Sequence, residues 1–93
     1  MMYEIKPYSY RKAREIGVKI KPSVKAGKKI DVFTESGEYI TSIGDILYGD
    51  YPSFIEKEGE IFANNRRRLY KIRHAKDRSV VGSTGWYADQ ILW

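Results

Sequence analysis

Apolar and polar residues alternate most regularly between Lys28 and Ile43. Lys29-Ile30-Asp31-Val32-Phe33-Thr34 and Tyr39 to Ile43 each carry the period of two expected of a strand with one face buried. Between them Glu35-Ser36-Gly37-Glu38 supplies a turn, with glycine where a positive φ is needed. The pattern predicts a β-hairpin. Because an isolated hairpin is marginal in water, its apolar face must be covered by helices or further strands. Val18-Lys19-Ile20-Lys21 alternates in the same way before Pro22 and adds a candidate third strand.

Upstream, Met2 to Lys6 reads as a short strand ended by Pro7, and Tyr10 to Ile16 as a short helix capped by Ser9 and stopped by Gly17. A basic extended arm over residues 1–26 is the alternative, with the compact domain then spanning 27–93. Downstream, Pro52 suits the first position of a helix that runs to Glu58 and stops at Gly59. From Glu60 to Lys76 the period lengthens to that of a helix, with Phe62, Leu69 and Ile72 near one face and Ile61 and Ala63 at its edge. On the opposite side Arg67, Lys71, His74 and Arg78 recur at spacings of four, three and four, a cationic stripe flanked by Arg66, Arg68 and Arg73. Ser83 or Thr84 caps a last helix over Trp86 to Trp93, whose burial of Trp86, Ile91 and one of Leu92 or Trp93 would contribute about 1.5–3 kcal/mol each. The expected fold is α+β: a small antiparallel hairpin or three-stranded sheet packed against two or three short helices, covered by the Glu60–Lys76 and Trp86–Trp93 helices.

Charge is laid out in blocks. Residues 1–30 hold nine Lys/Arg against two Asp/Glu, residues 31–65 one against eight, and residues 66–93 seven against two, so the net +5 conceals alternating signs. Either the acidic middle pairs with the basic ends, or the basic ends form one surface for an external polyanion. A solvated face of mixed charge is the bland counterpart of both.

The candidate chemistry is narrow. With no cysteine and a single histidine, disulfides, thiolate chemistry and cysteine-based zinc are excluded, and no metal or cofactor is expected. Asp45 and Asp50 lack the spaced oxygen ligands of a calcium loop. His74 has Asp77 three residues on, a pairing that ties a helix end to the following loop more readily than it drives chemistry, so the chain reads as non-enzymatic. The beginning carries no apolar h-region and the longest apolar runs are a few residues, so neither a signal peptide nor a membrane span is expected.

Tyr48-Gly49-Asp50-Tyr51-Pro52, then R-x-x-Y-x-x-R-H over Arg67, Tyr70, Arg73 and His74, then Gly82-Ser83-Thr84-Gly85-Trp86-Tyr87 and the closing Ile91-Leu92-Trp93 follow one another in this order. Their succession resembles a short domain of unknown function of large double-stranded DNA viruses of algae and amoebae and of tailed bacteriophages. The similarity covers Gly27 to Trp93. It brings no known activity and no catalytic residue, and it implies a viral setting: the virion, or the host cytoplasm or nucleus.

Two functions follow. In the first, the protein docks on neighbouring viral structural proteins, or on its own copies, through the basic helix face (Arg66, Arg67, Arg68, Lys71, Arg73, His74, Arg78) and an aromatic patch (Tyr51, Tyr70, Trp86, Tyr87, Trp93). In the second, the same basic surface binds nucleic acid, with Tyr70 available to stack on bases. Docking ranks first, because the acidic middle would repel DNA unless it faces away. The deciding feature is whether the N-terminal basic segment and the Arg67 stripe share a face.

Overall fold

The computed structural model describes residues 2–93. Its elements run α1 (Pro7–Glu15), β1 (Lys19–Pro22), β2 (Lys28–Phe33), β3 (Tyr39–Asp45), α2 (Tyr51–Glu58), α3 (Glu60–Arg73), a 3-10 turn (Asp77–Ser79) and α4 (Thr84–Leu92). The strands form one antiparallel sheet in the order β1-β2-β3, and the class is α+β with four helices where two or three were expected. The hairpin falls where the alternation places it, and Gly37 at φ 96° makes its turn.

Strand β2 is buried on both faces, and its two faces are chemically distinct. Ile30 and Val32 point to one side, opposite Ile43 of β3 and Ile20 of β1. There they meet Ile5, Ala13, Ile91 and Leu92 in the hydrophobic core. Helix α4 lies along β3, and α1 lies against α4 and β1. Lys29 and Asp31 point to the other side and are also buried. Asp31 accepts from Ser23 Oγ and Ser42 Oγ, both at 2.6 Å, and from the Val24 amide at 3.2 Å. Lys29 Nζ reaches Asp50 at 2.7 Å. Asp50 also accepts from Tyr3 Oη at 2.7 Å and, as the N-cap of α2, from the Ser53 amide at 2.9 Å.

Several expectations need correction. Residues 2–6 form no strand, and α1 begins at Pro7 with Lys6 as its N-cap. Ser9 lies inside that helix, fully buried, and donates to the Ile91 carbonyl at 2.9 Å. Of the two forms open to residues 1–26, the structure has the helix and strand, and both join the common core. Helix α3 stops at Arg73, short of Lys76, and it packs chiefly on α2, not on the sheet. The sheet's apolar face is covered by α4 and α1. Trp86 lies half-exposed outside the core cluster, edge-on to Tyr87 at 5.1 Å, while Ile91 and Leu92 are buried as expected.

The two buried carboxylates set a pH dependence. For both, burial pushes the pKa up, but hydrogen bonds outweigh it: Ser23, Ser42 and the Val24 amide on Asp31, and Lys29, with its charge, Tyr3 and the Ser53 amide on Asp50. Both end below the ordinary aspartate value. A carboxyl whose folded pKa is depressed stabilises the fold above its unfolded pKa, and that contribution is lost as pH falls through the folded value. Thermal unfolding monitored by circular dichroism is therefore expected to be nearly flat from about pH 7 to pH 5 and to drop steeply below about pH 4. A midpoint unchanged down to pH 3 would contradict this.

Candidate functional site

The cationic stripe is half-buried and engaged with neighbouring groups of the chain. Arg67 lays its guanidinium 3.9 Å from the centre of the Tyr51 ring and donates to Asn64 Oδ1 at 3.3 Å, an oxygen that also accepts from Tyr51 Oη. Lys71 is bonded to the buried Asp89 of α4 at 2.5 Å. Arg78 donates to the Lys71 carbonyl at 3.0 Å, which folds the chain after α3 back onto the helix. His74 stacks on Tyr70 with 4.4 Å between ring centres, and its Nδ1 lies 3.1 Å from Asp77 Oδ2 in the 3-10 turn. The helix is thus rotated from the orientation its periodicity suggests. Ala63 and Tyr70 are its buried residues, and Ile61, Phe62, Leu69 and Ile72 are exposed.

The physical reason lies in the partners. An aromatic face at Tyr51, a carboxylate at Asp89 and the flat ring of Trp93 all wait on one side, and cations with aliphatic stems pack well on such a surface. The triplet Arg66-Arg67-Arg68 consequently points three ways: Arg66 over the Phe54 ring at 5.5 Å, Arg67 onto Tyr51, and Arg68 outward to Asn65 at 3.0 Å.

A cleft of about 610 Å³ opens between α3, α4 and the segment that joins β3 to α2. Its floor is aromatic. Trp93 and Tyr70 stack nearly parallel, 4.3 Å apart at 8°, and Phe54 tilts against Trp93 at 6.1 Å. Burial, with the charges of Asp89 and Asp77, pushes the Tyr70 phenol up to about 12, so it stays neutral. Arg66 and Arg73, two turns apart on α3, stand at the rim with Asp45 and Asp77, so both signs of charge frame the floor. Arg73 Nε lies 3.4 Å from His74 Nε2, and the other ring nitrogen, Nδ1, faces Asp77. Gly49 makes room for the Phe54 ring, which a Cβ there would overlap.

Every piece of the sequence pattern singled out above contributes to this cleft. Gly49, Arg73 with His74, Gly85, and Leu92 with Trp93 come from four separated motifs and line one space. The chain matches no family model, no curated protein and no solved structure. The four motifs meet at the cleft.

Of the five aromatic candidates, Tyr70 and Trp93 line the cleft. Tyr51 is buried beside Tyr8, 5.4 Å between ring centres, and Trp86 and Tyr87 pack on each other at the start of α4. Sequence reasoning missed Phe54, Asp45 and Tyr48, all on the cleft lining. The signal for Phe54 was its place on a two-turn helix too short to have a core of its own. Asp50 was weighed as a calcium ligand. Its position one residue before Tyr51-Pro52 is the signature of the helix cap that it forms.

The block charges are partly resolved inside the chain. Lys29 with Asp50 and Lys6 with Glu56 join the basic beginning to the acidic middle. Elsewhere the two basic segments meet: Arg11 lies over Tyr8 at 5.4 Å, Tyr8 packs on Tyr51, and Arg67 covers the Tyr51 ring. Among the described residues, no helix is long and apolar enough to cross a membrane.

Proposed function

We propose that the protein is a non-enzymatic docking module of a DNA-virus particle and that its cleft receives a segment of a neighbouring structural protein. One observation carries the reading: an aromatic floor of Tyr70, Trp93 and Phe54 framed by arginines and carboxylates together. An apolar centre within a polar rim is the anatomy of a protein interface, and aromatic residues with arginine are its usual hot spots. The fitting segment carries an aromatic or aliphatic anchor for the floor and an acidic side chain for Arg66 or Arg73. The viral setting is supported by the sequence resemblance alone.

Nucleic-acid binding is the second reading, favoured by the Arg11-Tyr8-Tyr51-Arg67 succession that joins the N-terminal helix to α3. The two readings separate in one set of binding experiments. Selection from a random-peptide display library is expected to enrich sequences that pair an apolar anchor with an acid, and Phe54→Ala with Arg73→Ala should weaken them at least about tenfold. Binding to mixed-sequence DNA should be weak. Tight DNA binding whose steep salt slope is flattened by Arg11→Ala with Arg67→Ala, and no peptide enrichment, would replace docking with nucleic-acid packaging.

A further inference from the structure

Helices α1 and α4 cover one face of the sheet, and the opposite face carries chemistry of its own. There Lys19 of β1 stands across from Phe33 of β2, and Lys21 across from Asp31. Tyr39 of β3 stands beside Phe33 on the other side, edge-on with 6.0 Å between ring centres. Lys21 Nζ lies over the Phe33 ring at 5.5 Å, and Lys25 Nζ over the Tyr39 ring at 5.1 Å. All three lysines are exposed, Tyr39 is 48% exposed and Phe33 is half-buried.

The rings are fixed from below. Ser42 Oγ gives its one proton to Asp31, so it accepts from Tyr39 Oη at 2.7 Å, and Ser23 Oγ donates to the same buried carboxylate. The tyrosine is therefore tied through Asp31 to the middle strand before any ligand arrives. Its surroundings are cationic. From Lys19 to Lys28 the chain has four lysines and no acid, whereas the rim of the cleft carries both signs. Glu35 and Glu38, in the turn beyond Phe33 and Tyr39, close the site to phosphate at that end.

We infer that this face binds a single strand of nucleic acid, with bases stacked on Phe33 and Tyr39 and phosphates held by Lys19, Lys21 and Lys25. Two rings on neighbouring strands with lysines alongside suit an unpaired strand, in which every base has a face to stack and every nucleotide a charge. A duplex keeps its bases stacked on one another and gains nothing from the rings. In the free protein the lysines rest on those rings, and their long stems let them swing onto phosphates. An exposed cation on a ring contributes less than a stacked base, so the exchange favours the strand.

None of these five residues lines the cleft, so the two surfaces fail or succeed separately. The test is fluorescence anisotropy of the purified full chain with a labelled oligothymidylate of about ten nucleotides. At about 50 mM salt the strand is expected to bind with a dissociation constant of about 10–100 µM, and a duplex of equal length at least about fivefold more weakly. Phe33→Leu and Tyr39→Leu, which keep apolar bulk and remove the stacking faces, should each weaken the strand at least about fivefold. Lys21→Gln with Lys25→Gln should weaken it and make the salt slope shallower by about 1.4, and Arg11→Ala with Arg67→Ala should leave it unchanged. In the natural protein the ring-proton resonances of Phe33 and Tyr39 should move upfield as strand is added, a readout that needs no variant to fold. Absence of binding up to about 1 mM strand, equal affinity for the duplex, leucine variants that bind like the natural protein, or polyglutamate binding as well as the strand would each overturn the inference. Loss of strand binding in the Arg11 and Arg67 variant, with the ring protons unmoved, would overturn it too.

Discussion

Asp50→Ala is expected to cost about 3–5 kcal/mol of stability, a large part of the total for a domain of this size. Asp50 is 1% exposed and Lys29 3%, and their contact at 2.7 Å is the closest link between the polar face of β2 and α2. Removing the carboxylate leaves the Lys29 ammonium buried without a counter-charge. It also strips the N-cap from α2 and orphans the Tyr3 hydroxyl. Urea unfolding would report the loss as a lower midpoint. The double change Asp50→Ala with Lys29→Met should recover part of it, because an ion pair removed whole costs less than one broken by half. A single variant within about 1 kcal/mol of the natural protein would show that the pair contributes little.

Trp93→Ala carries the second large effect, about 2–3 kcal/mol and therefore roughly 10–20 °C in melting temperature. The indole is stacked on Tyr70, meets Phe54, and belongs to a residue whose carbonyl accepts from Tyr8 Oη at 3.2 Å. Its loss removes apolar burial and two aromatic contacts together. Trp86→Ala is the informative comparison. Trp86 lies outside the core and touches Tyr87 edge-on, so its truncation should cost clearly less. Equal melting temperatures for the two variants would contradict the placement of Trp93 as the joint between α3 and α4.

The parts of the fold governed by short-range pattern were legible. Period-two alternation and Gly37 placed β2 and β3, Pro52 and Gly59 bounded α2, and Ser83 caps α4, its Oγ accepting from the Trp86 amide at 3.1 Å. Even so, alternation misassigned one face of β2. It marks Lys29 and Asp31 as polar and hence as solvent-facing, yet Ser23, Ser42 and Asp50 converge on them from distant positions and both are buried. Pairing with remote groups leaves no periodic trace.

Helix α3 shows the same limit more sharply. Amphipathic reading turns the Leu69 and Ile72 side inward, because apolar area usually decides which face is buried. Here Tyr51, Asp89 and Trp93 offer surfaces that suit arginine, lysine and stacked rings better, and the helix presents Arg67, Lys71 and His74 to them. The consequence reaches function. Most of the cations counted as a free stripe are engaged within the chain, and the surface that remains combines arginine with apolar and aromatic side chains. His74 ties the end of α3 to the next turn through Asp77, the structural role its spacing suggested.

The most direct test of cleft docking is a two-dimensional amide and indole NMR titration of the protein with a display-selected acidic peptide. The docking account predicts that the largest shift changes fall on the Trp93 indole and on the amides of Gly49, Arg73 and Gly85, with Ile61 and Arg11 unmoved. Changes confined to the exposed Ile61 and Ile72 side of α3 or to the Arg11 and Arg67 face, with the Trp93 indole unmoved, would contradict it.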